Sequence, residues 1–105
     1  LKGYRLHERR FQSGRGEIDL IASRLNTLAF VEVKTRQTRE LALTAMTPTS
    51  ENRIAQAAVI WMARHPALSS HNVRYDLITV VNGWPRHHKD IFRPEIAAQR
   101  PDNLF

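Results

Sequence analysis

Apolar strands, one long helix and a further strand, in that order, predict an α/β sandwich around a central mixed sheet. Three observations carry this. Residues 17–23 and 28–35 are apolar segments interrupted by carboxylates at alternating positions, residues 54–62 hold an apolar stripe at helical spacing, and residues 73–81 form a near-continuous apolar run. A helix between strands can serve as the crossover that returns the later strand parallel to an earlier one. The expected architecture is one domain over residues 1–105, with about five strands flanked by helices.

Taken in order, residues 4–11 read as a first strand whose Arg5, Glu8, Arg9 and Arg10 suit a sheet edge facing water. Residues 12–15 turn. The two acidic strands follow, and the polar Leu25-Asn26-Thr27 joins them as a hairpin connection. Residues 36–46 lack a period and are expected to form a loop that orders when a substrate arrives. Thr47-Pro48 starts a helix, Ile54, Ala57, Ala58, Trp61 and Met62 form its buried stripe, and Pro66 marks its end. Trp61 is read as core rather than as a platform for bases. After the strand at 73–81, Gly83-Trp84-Pro85 is expected to turn and residues 89–92 to form a short last strand; the chain past Pro94 is unassigned.

The 105 residues suffice for one core, burying roughly two-thirds of the surface an unfolded chain would expose. The formal charge is +6, from thirteen Arg and three Lys against ten acids. Guanidinium forks match phosphate oxygens, so polyanions are the natural partners, although basic charge bears first on solubility and nonspecific attraction. Cysteine is absent, which excludes disulfides, thiol chemistry and cysteine metal sites. No apolar run approaches the ~18 residues of a membrane span and no leader is visible, so the chain reads as soluble, cytoplasmic and without a membrane partner. It opens on Leu1 rather than Met, which leaves an upstream segment open. Neither a glycine-rich phosphate loop nor a nucleophile triad is present to support a small-molecule enzyme.

The acids carry the chemistry. Side chains alternate along a strand, so Glu32 and Lys34 share one face while Val31 and Val33 take the other, and Asp19 opposes Ile18 and Leu20. If the strands pair, Asp19 and Glu32 converge. Two carboxylates about 4 Å apart repel by roughly 4 kcal/mol at an effective dielectric near 20, a cost that a cation removes. Magnesium would suit Asp19, Glu32 and the Val33 carbonyl, with Glu17 on the same face as a further ligand, an outer acceptor or merely the entry of the strand. The plainer alternative is an ion pair on a solvated sheet. Arg15, Arg36 and Arg39 flank the acids, either as phosphate contacts or as ordinary surface. Adjacent His87 and His88 face opposite ways and are not expected to share a metal, and Arg74 with Asp76 is read as a structural ion pair.

Gly16-Glu17-Ile18-Asp19-Leu20-Ile21-Ala22, Phe30-Val31-Glu32-Val33-Lys34-Thr35-Arg36 and Arg74-Tyr75-Asp76 resemble the YraN-like family of uncharacterised bacterial proteins over most of the chain. That family in turn resembles the restriction-endonuclease-like superfamily, which includes archaeal Holliday-junction resolvases. The resemblance implies a restriction-endonuclease-like sandwich, in which Asp19 and Glu32 bind magnesium or manganese and Lys34 positions the attacking water or stabilises charge at phosphorus. It implies a nuclease acting on branched or structured DNA, working as a homodimer or beside a repair or recombination protein. The alternative is a scaffold without turnover that binds nucleic acid or docks a protein. Three departures stand out. Relatives carry an N-terminal helix with another acid, which precedes the start of this chain; they have a Lys where Ser50 stands here, after a loop with glycines; and their Arg-Phe-Asp is Arg74-Tyr75-Asp76.

Overall fold

The computed structural model describes residues 3–94; the segment past Pro94, unassigned from sequence, lies outside them. Five strands, β1 (Arg5–Gln12), β2 (Glu17–Arg24), β3 (Thr27–Thr35), β4 (Asn72–Val81) and β5 (Trp84–His88), form one sheet in the order β1-β2-β3-β4-β5. All neighbours run antiparallel except β3 and β4, which are parallel from Thr27↔Asn72 to Thr35↔Val80. The chain passes between those two through helices α1 (Arg39–Leu43) and α2 (Pro48–Ala63) and a 3₁₀ turn at Pro66–Leu68. The mixed sheet, the crossover helix and the exposed charged edge strand are as the sequence predicts.

Helix α2 begins where the Thr-Pro signal places it. The Thr47 hydroxyl accepts the Ser50 N–H at 3.1 Å, and Pro48 opens the first turn, where a missing N–H costs nothing. The helix ends at Ala63, ahead of Pro66. It buries Ile54, Ala55, Ala57, Ala58 and Trp61 against Ile21, Leu28, Phe30 and Tyr75, while Met62 is only partly covered. Trp61 is fully enclosed: Phe30 meets it edge-on, His65 stacks on it at 3.7 Å between ring centres, and its Nε1–H donates to Glu8 of β1 at 2.8 Å. Burying an indole costs little once its N–H has an acceptor.

Gly16 fixes how close α2 comes to the β1–β2 turn. A Cβ there would stand 2.1 Å from the Arg53 carbonyl oxygen, so no other residue fits without moving the helix.

Two expectations are corrected. Within residues 36–46, expected as loop, Arg39–Leu43 is helical, with Thr38 capping the Leu41 N–H at 3.2 Å. The last strand is Trp84–His88 rather than residues 89–92, because the turn is Asn82-Gly83. Both turn residues have positive φ, 52° and 79°, as the two-residue hairpin whose twist matches its flanking strands requires.

The face of the sheet opposite the helix-side residues of β2 and β3 holds a second polar assembly. Asp76, fully buried, receives a forked pair of bonds from Arg74 at 2.8 Å each, a contact from His87 Nε2 at 2.7 Å and the Asp90 N–H at 2.8 Å. Burial alone would raise the Asp76 carboxyl, but the bonds from Arg74, Asp90 and His87 outweigh it and hold the group below its ordinary value. Arg74 also donates to the Tyr4 hydroxyl, and Tyr4 meets His87 edge-on. The expected Arg74–Asp76 pair is thus the centre of a network that ties the start of β1 to β4 and β5.

Candidate phosphodiester site

β2 and β3 pair from Arg24↔Thr27 as far as Leu20↔Val31 and then part. Where the ladder stops, the Asp19 side chain takes its place: Oδ2 accepts the Val33 N–H at 2.8 Å. This turns Asp19 towards Glu32, two chemically similar groups that the alternation of both strands had already put on one face.

The electrostatics follow from that contact. Burial pushes the Glu32 carboxyl up to about 7, and a shared hydrogen bond and charge repulsion from Asp19 add to it, against the downward pull of Lys34. The Lys34 ammonium stands 3.3 Å from Glu32 Oε2, with its side chain 19% exposed and that of Glu32 14%. Asp19, Glu32 and Lys34 therefore form one partly covered cluster, open enough on one side to be reached from solvent. Val33 lies between the last two, with its N–H committed to Asp19.

The other candidates take different places. Glu17 is exposed and its carboxylate receives Gln12 Nε2 at 3.3 Å, its cross-strand partner. Among the described residues, no three His, Cys, Asp or Glu side chains gather as a metal-holding group, so Glu17 is not assembled with both acids. Arg15 precedes β2, while Arg36 and Arg39 follow β3, so the antiparallel order puts all three at the same end of the hairpin, past its last pair. All three are exposed at the acid end of the hairpin. Arg36 is anchored there by its own N–H to the Val80 carbonyl at 3.1 Å. Ser50 lies in the first turn of α2, hydrogen-bonded to Thr47.

His87 and His88 point to opposite faces, towards Asp76 and Thr79 respectively. In the sequence the bond from Val33 to Asp19 has one signal only, an acid at the point where two paired strands diverge.

The donor set suits a hard, oxygen-seeking divalent cation. Two carboxylates are held together by the backbone, and one of them is so disfavoured as an anion that added positive charge would stabilise it. Among the described residues no helix is long and apolar enough to cross a membrane.

Comparison with known proteins identifies the family. The family model described as uncharacterised protein family UPF0102 matches residues 1–80. A UPF0102 protein of Maricaulis maris is 44% identical over 99 residues, covering 93% of this chain and 78% of that protein. One from Methylorubrum extorquens is 46% identical over 96 residues, covering 90% and 75%, and one from Rhizobium meliloti 43% over 93 residues, covering 88% and 76%. The family resemblance read from the strand blocks is borne out. With the family model and these relatives in agreement, the chain belongs to the UPF0102 family.

Proposed function

We propose that this protein is a metal-dependent nuclease that hydrolyses phosphodiester bonds in structured or branched DNA. The observation that supports it best is the Asp19–Glu32 pair, held together where the β2–β3 ladder ends and carrying Lys34 at 3.3 Å. Asp19, Glu32 and the Val33 backbone would hold magnesium or manganese, which when bound supplies Lewis-acid polarisation of a phosphate and a more acidic water. The protein's own groups do the rest. Lys34 places a cation beside the acids, where it can orient water and stabilise charge building on the phosphate oxygens. Arg15, Arg36 and Arg39 would hold neighbouring phosphates, giving an affinity that falls with salt. The reaction adds water across one P–O bond and leaves a phosphomonoester and a hydroxyl. On this reading the protein works in the cytoplasm on nucleic acid, alone, as a homodimer, or beside a repair or recombination partner.

A second reading draws on the ion pair. Lys34 already supplies a counter-charge to Glu32, so the cluster is electrically satisfied without a cation. The protein would then be a binding module for nucleic acid, or a docking module for a protein, on a nuclease-like scaffold.

One assay separates the two. Linear, single-stranded and four-way-junction DNA are incubated with the protein, with and without magnesium or manganese, beside Asp19→Asn and Glu32→Gln. Cleavage that needs the metal and disappears in both variants is the expected result. Binding without product, indifferent to metal and to both substitutions, would favour the module.

A further inference from the structure

The strand register carries the acid face further than the three clustered residues. In the β3–β4 ladder Glu32 stands beside Leu77 and Lys34 beside Thr79, and in the β4–β5 ladder Leu77 pairs with His88, Thr79 with Arg86 and Val81 with Trp84. Paired residues share a face, so Trp84, Arg86 and His88 lie on the same side of the sheet as Glu32 and Lys34. At about 4.8 Å per strand, Arg86 is roughly 10 Å across the sheet from Lys34, and Trp84 is about 7 Å further along β5 from Arg86.

Trp84 is 79% exposed, while the other tryptophan, Trp61, is fully buried. The tight Asn82-Gly83 turn and the pairing with Val81 fix its backbone, so this large aromatic ring is presented to solvent by a rigid element. Basic groups lie along the same face of β5, Arg86 two positions on and His88 four. Burial, then the charges of Arg86 and Arg39, hold the His88 imidazole below its ordinary range, which places both guanidiniums within electrostatic reach of one ring. Arg39 belongs to α1 and Arg86 to β5, so two elements converge there. An exposed aromatic ring with guanidiniums further along the same face can stack a base while they hold phosphates of the same strand, and stacking needs a base free of its partner strand. An apolar protein partner would be poorly served by the positive charge along that face.

We propose that the β4–β5 hairpin is a nucleic-acid contact in which Trp84 stacks on an unpaired base while Arg86 and Arg39 hold adjoining phosphates. The substrate class is thereby narrowed to nucleic acid with single-stranded or locally unpaired segments next to the acid cluster. This rests on the phosphodiester reading of that cluster and extends it.

The experiment uses the full chain in EDTA, titrated with oligothymidylate, oligouridylate and a blunt duplex of equal length, following tryptophan emission. Saturable quenching of the solvent-exposed component by the single strands is expected, since only Trp84 is open to it; the two oligomers separate a DNA from an RNA preference. Trp84→Ala should weaken single-strand binding between about 5-fold and 100-fold and duplex binding less than about 2-fold, with Trp84→Phe restoring most of the loss. Arg86→Gln should lower the salt slope of binding by about one. Absence of quenching, or equal loss on duplex and single strand in Trp84→Ala, overturns the proposal. Asp19→Asn keeps the two readings apart. If it abolishes cleavage in the presence of metal while Trp84 fails to report binding, only the hairpin proposal falls. If single strands quench Trp84 but nothing is cleaved, the hydrolytic reading falls and the binding surface stands.

Discussion

The Asp19 carboxylate and the Val33 amide, joined at 2.8 Å, close the gap that opens when β2 and β3 stop pairing. A side chain here does the work of a strand carbonyl. Asp19→Ala should therefore cost stability by roughly 1–3 kcal/mol, the penalty for leaving a part-buried donor without its acceptor. Asp19→Asn keeps an oxygen in place and should cost less than about 1 kcal/mol by the same reasoning. Urea unfolding of the two variants checks this; an equal loss in both would mean that charge, not the hydrogen bond, is what β3 needs.

Glu32 gives the site a pH signature. Its folded value near 7 lies above its ordinary 4.5, so the folded state binds the proton more tightly. The stabilisation this provides is complete below about 4.5 and is lost as pH rises through about 7. In EDTA, wild-type stability should fall across that window, and Glu32→Gln should flatten the slope. Manganese binding should run the other way, weakening as pH drops below 7, because a proton and the cation compete for the same oxygens. Thermal melts in EDTA and manganese titration at pH 6 and 8 are the measurements.

Asp76 predicts the opposite sign. Held below its ordinary 3.8, it contributes stability at all pH values above that point, and the contribution disappears only as pH falls through its lower folded value. Asp76→Asn should destabilise by roughly 3 kcal/mol, since Arg74 is left with a poorer partner; the partial exposure of Arg74 keeps the loss at the low end of that seen for broken buried pairs. It should also reduce the steepness of acid unfolding, and a variant with wild-type acid behaviour would assign that transition elsewhere.

Gly16→Ala tests the seating of α2. The added methyl would meet a helix carbonyl, which cannot swing aside as a side-chain tip could, so a loss of about 1–3 kcal/mol is expected. Because φ at Gly16 is not positive, the effect is steric, and Ser at the same place should be no better tolerated. Denaturant midpoints decide it.

Much of this was legible from local pattern. Alternation of carboxylates with Ile, Leu and Val placed β2 and β3, and the Ile54-to-Trp61 stripe placed α2, because burial on one face imposes a period. Helix α1 escaped because five residues make barely more than one turn, too short for a stripe, and its signal was only the Thr38 cap. β5 was misplaced because Pro85 and the charged Arg86-His87-His88 do not resemble a strand, whereas Asn82-Gly83 just before it dictated one. Asp19, Glu32 and Lys34 could be nominated from spacing alone. Their environment could not, since Glu32 is shifted by its burial in the folded sheet and by a neighbour thirteen positions away. The further partners of Asp76 were equally hidden, because His87 reaches it from the neighbouring strand β5 and the Asp90 N–H from the segment after it.

The parallel register of β3 and β4 also sets an order of assembly. Its first pair, Thr27↔Asn72, joins residues 45 positions apart, whereas Asp19 and Glu32 belong to a single hairpin closed by a tight turn. Nearby segments meet sooner than remote ones, because a long loop must surrender more freedom before it gains any contact. The emerging chain is therefore expected to bring its acids together while still wet and to dry them only when β4 arrives. A cation present during synthesis would meet an open, hydrated hairpin first, and the mature enclosure would form around it.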